Sequence, residues 1–194
     1  MKKCLILSFA ALSVLFFSFC SASSAQPLKP KLILLISEQN IGTPQKAWWA
    51  SEVDLSSTET VLANKLIAQG YTILEPSVLN KVIRQDKAFR LVDLPEEKSI
   101  KLGSLARADY VVLGKAVASV GGNVPDSNMR SCFANVTAKL IRVKDGAVVA
   151  YLDATGSSAH MDTISGGREA LVNAADSLVL KIIESLNRQE ASVK

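Results

Sequence analysis

His160 is the only histidine in the chain, and Ser157, Ser158 and Asp162 stand beside it in sequence. General-base catalysis needs an imidazole hydrogen-bonded to a nucleophile, and a zinc site needs three or four ligands at defined spacing. Neither spacing is present. His160 therefore reads as a solvated loop residue, and the sequence assigns no catalytic residue, no metal ligand and no cofactor.

Three other groups could carry chemistry. Cys132 could be a reactive thiol, but it alternates with Ala134 and Val136 on what should be a buried face. A free cysteine in such a place behaves as a small hydrophobe. Gly166-Gly167 could present backbone N–H groups to an anion at a helix start. No glycine-rich strand-to-helix fingerprint surrounds the pair and no Lys-Ser or Lys-Thr follows it, so it reads as the start of a helix. Trp48-Trp49 is the remaining group. Two adjacent large aromatics in a long connection are hard to bury together, and exposed tryptophan is enriched at interfaces. Trp48 and Trp49 are the candidate partner-binding residues.

The elements that must position these residues follow from periodicity. Leu32–Ile36 is a continuous apolar run and reads as a strand buried on both faces. Residues 37–55 connect it to a helix that Ser56 and Glu59 start with capping-box spacing and Gly70 ends. Tyr71–Leu74 is a short strand, and Ser77 caps a helix to about Arg84. Pro95, Glu96 and Glu97 suit the first turn of a third helix. Tyr110 to about Val120 is a strand. Cys132, Ala134, Val136, Ala138 and Leu140 alternate on the apolar face of the next. The last helix runs from about Gly167 to Asn187, with Ala170, Leu171, Ala174, Leu178, Ile182 and Leu186 as its core stripe. Residues 188–194 form a polar tail.

The final hairpin can be placed by parity. Val148, Ala150, Leu152 and Ala154 form one apolar face, so facing residues must have an even sum. A two-residue Asp145-Gly146 turn breaks this rule. A three-residue loop, Lys144-Asp145-Gly146, pairs Val143 with Ala147 and Leu140 with Ala150, and puts Gly146 where a left-handed residue is needed. The resulting order is β-α-β-α-α-β-β-β-α. The expected fold is α/β (α+β), a mixed sheet of about five strands with helices packed on it.

The first 25 residues have the order of a cleavable signal peptide. Lys2-Lys3 precede an apolar run from Cys4 to Cys20, and Ser23 and Ala25 occupy the −3 and −1 positions. Phe19 before Cys20 disfavours lipidation, so membrane contact is expected only if Cys20 is lipidated. Residues 26–31 are a short lead and 32–187 a single domain. Losing the signal lowers the formal charge from +4 to +2, and no basic run remains for nucleic acid. Cys132 is then the sole cysteine and no internal disulfide can form.

Three stretches carry a family resemblance: Ser37-Glu38-Gln39-Asn40-Ile41-Gly42, Gln69-Gly70-Tyr71-Thr72-Ile73 and Ala108-Asp109-Tyr110-Val111-Val112-Leu113-Gly114. Over residues 32–187 the chain resembles the middle domain of flagellar assembly protein T. It also resembles envelope domains of the curli secretion lipoprotein and the penicillin-binding-protein activator lipoprotein. The resemblance implies a mixed sheet with helices on it, no enzymatic activity, and a periplasmic assembly or scaffold role in flagellar or secretion machinery. Its partners would be envelope proteins or further copies of itself. The alternative is a domain that binds a small ligand or associates with peptidoglycan.

The intact mass of the exported protein should place its N-terminus at Gln26. A lipid-modified species beginning at Cys20 would refute that processing.

Overall fold

The computed structural model describes residues 29–46, 56–75 and 94–192. The signal segment, the pair Trp48-Trp49 and the helix expected from Ser77 to Arg84 lie outside the described residues. The described elements are β1 (Lys31–Gln39), α1 (Ser57–Ala68), β2 (Thr72–Leu74), α2 (Glu96–Leu105), β3 (Tyr110–Asn123), β4 (Arg130–Arg142), β5 (Val148–His160) and α3 (Thr163–Ser192). They build an α+β fold with one five-stranded mixed sheet in the order β2-β1-β3-β4-β5.

β1 lies parallel to both β2 and β3, whereas β3, β4 and β5 are antiparallel. A strand flanked on both sides and covered on both faces has no polar face to show, hence the unbroken run Leu32–Ile36. Its even residues join the larger core, packed with Leu62 and Leu66 of α1 and Leu171, Leu178 and Ile182 of α3. Ile33 and Leu35 face the other way, into a smaller core with Leu102 of α2, Val111 and Ile141.

Helix ends follow short-range chemistry. Ser56 Oγ accepts the Glu59 N–H at 3.0 Å. Gly70, at φ +86°, ends α1 with its own N–H on Ile67 O and the Tyr71 N–H on Leu66 O. The same pair of bonds closes α2, but there the left-handed position is held by Arg107 at φ +57°. Glycine is the usual residue at such a site because a Cβ is disfavoured. Tyr71 therefore belongs to the helix-ending turn, and β2 begins one residue later than the sequence implied.

The β4–β5 turn differs from expectation. Leu140 does pair with Ala150, but Ile141 pairs with Val148, so Val149 is an extra, bulged residue. The Val143 N–H donates to Asp109 O and is not free to close the hairpin. Closure falls to Arg142, whose N–H donates to Ala147 O while its carbonyl accepts the Gly146 N–H, both at 2.9 Å. The turn thus spans four residues, Val143–Gly146, with Gly146 left-handed as expected at φ +69°. An odd register and one bulge restore the even parity beyond it. The bulge also sends Val148 to the smaller core, on the face opposite Ala150.

β3 continues through Gly121-Gly122 to Asn123, past the end near Val120 expected from the sequence. The Phe133 ring lies where a Gly121 side chain would be, covering the bare backbone. α3 begins four residues before Gly167 and runs to Ser192. It approaches β5 closely: a Cβ on Gly156 would fall on the Ala170 carbonyl oxygen and the Ala174 nitrogen. Backbone cannot yield as a side chain would. Gly156→Ala should lower stability by about 3 kcal/mol, an overpacking cost. Gly122→Ala, with open space around it, should stay within about 0.5 kcal/mol of the parent. Denaturant melts of the two variants test this pair.

Candidate functional site

The carboxyl end of β1 organises the molecule. The chain leaves β1 toward β2 on one side, while β3 lies on the other. In open α/β sheets, crevices for ligands form beyond strand ends at such divergence points. Glu38 is only 6 % exposed here. Its carboxylate accepts the Ser57 N–H at 3.1 Å and the Thr58 N–H at 2.7 Å, so a buried acid caps the start of α1. A carboxylate suits the positive end of a helix, whose first N–H groups have no internal acceptor.

The Glu38 backbone is engaged as well. Its N–H donates to Lys46 O at 3.1 Å, and its carbonyl accepts the Lys46 N–H at 2.7 Å. Both ends of the connection that carries Trp48 and Trp49 therefore meet at one residue. Lys46 leads into it on the backbone of Glu38, and Ser57 follows it on the side chain. Beside them, Gln45 Nε2 donates to Ser37 Oγ at 3.2 Å.

Two residues further on, Asn40 ties the same corner to α3. Asn40 Nδ2 donates to Ile164 O at 3.0 Å, and Asn40 Oδ1 accepts the Ile41 N–H at 2.8 Å. Gly166 and Gly167 permit this approach. A Cβ on Gly166 would lie 2.6 Å from Cys132 Sγ, and one on Gly167 would strike Asn40 Oδ1. The glycine pair thus serves packing. The N-terminal N–H groups of Ile164 and Ser165 are taken by the Asp162 carboxylate, at 3.3 and 2.8 Å.

The remaining chemical candidates are similarly committed. His160 ends β5, and its Nδ1 accepts the Asp162 N–H at 3.0 Å. Ser158 Oγ donates to Gly166 O at 2.6 Å. Hydrogen bonds from Ser165 hold the Asp162 carboxyl below the usual carboxylate range. Cys132 is fully buried, on the face the alternation assigned to it. Among the described residues, no three His, Cys, Asp or Glu side chains gather as a metal site. Trp48 and Trp49 lie outside the described residues.

A concavity of about 450 Å³ opens beside Ser37 and runs across the sheet on the α2 side. Leu35, Leu94 and Leu113 form its apolar part, and Thr137, Lys139 and Tyr151 its outer part. Lys139 faces Tyr151 across β4 and β5. Its Nζ donates to Glu96 Oε2 at 2.9 Å, a bond that raises the lysine pKa. Tyr151 is 73 % exposed. These residues occupy the polar positions of alternating strands, where periodicity alone distinguishes none of them. For Glu38 the available signal is an acid two residues past the apolar run Leu32–Ile36, on the strand the sequence already marks as buried.

No protein-family model matches the chain, and no curated protein matches it. Solved structures with a related arrangement do exist. Lipoprotein GNA1162 from Neisseria meningitidis is 13 % identical, with 84 % of this chain and 99 % of that one aligned at a TM-score of 0.42. The LpoB C-terminal domain from Salmonella enterica is 20 % identical over 72 % and 87 % of the two chains, at 0.39. The hypothetical protein CT253 from Chlamydia trachomatis is 11 % identical over 80 % and 94 %, at 0.47. These are distant likenesses of arrangement, and no residue role passes from them to this chain.

Glu59, next to the Glu38 cap, has a pH-dependent consequence. Burial first, then the carboxylates of Glu38 and Glu75, pushes its carboxyl from 4.5 up to about 7. The folded state thus holds this proton more tightly than the unfolded chain does. The stabilisation is complete below about pH 4.5 and is lost as pH rises through about 7. Glu59→Gln should flatten the stability profile across that window, removing a slope worth up to about 3 kcal/mol. Chemical denaturation between pH 4 and 8 measures it, and an unchanged slope would assign the effect to other groups.

Proposed function

We propose that this chain is a non-enzymatic module of the cell envelope that binds a protein partner or further copies of itself. On this reading it is exported through its N-terminal signal and acts in the periplasm, with flagellar or secretion machinery as the setting. Trp48 and Trp49 form the contact. The observation that carries the reading is the attachment of both ends of their segment to Glu38. A connection tethered at one point loses less freedom on docking than an open one, and Pro44 restricts it further. His160, Cys132 and Asp162, the groups most suited to catalysis, are each occupied in holding the fold.

A double Trp48→Ala and Trp49→Ala variant should keep its melting temperature and lose association, read by sedimentation and by capture from envelope extracts against the parent. A buried tryptophan anchor is worth about 2 kcal/mol or more on truncation. A collapsed melting temperature would place the pair in the core. Intact stability together with intact association would refute the contact.

The concavity favours a second reading, binding of a small ligand or of peptidoglycan. Its size falls within the range of ligand sites, about 300–1,000 Å³. Soluble peptidoglycan fragments should then raise the melting temperature of the parent and leave Tyr151→Ala unchanged. No shift in the parent removes this reading and leaves the first intact.

A further inference from the structure

We draw no further inference here: the strongest candidate, the largely apolar concavity across the β3–β5 face beside Ser37, carries nothing because nothing in the structure shows what covers it.

Discussion

Glu38 spends a buried negative charge on the first two N–H groups of α1, and much of the molecule hangs from that contact. A carboxylate withdrawn from water costs several kcal/mol unless donors replace the solvent. Here the donors are helix N–H groups that would otherwise lack acceptors. Each side meets the need of the other, which orients α1 against the end of β1. Removing the carboxylate would strand the helix start, and moving the helix would strand the charge. Thr58 is fully buried at this junction, so little solvent can make good either loss.

Asn40 extends the corner to the second helix on the same face, α3. With Glu38 on α1 and Asn40 on α3, a three-residue stretch of β1 and its turn positions both helices of the larger core. α3 can follow because Gly166, Gly167 and Gly156 remove the side chains that would hold it away. The helix then lies close over β5, and two of its side chains reach the outer strand. Lys181 Nζ donates to Asp153 O at 2.5 Å and Asn173 Nδ2 to Ser157 O at 2.9 Å. Edge strands with unsatisfied backbone groups invite pairing, and these bonds occupy two of them.

Among the described residues the two sheet faces are covered unequally. α1 and α3 pack over one face, while α2 covers the other mainly at the start of β3 and the end of β4, around Val111 and Ile141. On that second face Phe133 is 49 % exposed even as its ring shields Gly121. Exposed aromatics here have local duties, Phe133 over a bare glycine and Tyr151 beneath the Lys139 ammonium, 5.4 Å from the ring centre. That tempers any inference from exposure to interface. Tethering is the more selective observation, since two chain ends meeting at a buried acid is a specific geometry.

Much of the fold was legible because its signals are local. Alternation in β4, the double burial of β1, the Ser56 cap and the stop at Gly70 all depend on neighbours within a few residues, and each is present as expected. The candidate site was legible only in part. Trp48 and Trp49 stand out by type, but their tether to Glu38 spans about twenty residues and leaves no periodic trace. The four-residue turn and the Val149 bulge likewise depend on Asp109 taking the Val143 N–H from more than thirty residues away. Gly156 reads as a weak strand residue until α3 is laid on it. The sequence by itself determined which faces are apolar and where α1 starts and stops, because those choices rest on repeat and capping. Tertiary structure alone decided which donors meet which acceptors and how closely the layers pack, since distant groups compete for the same bonds and the same space.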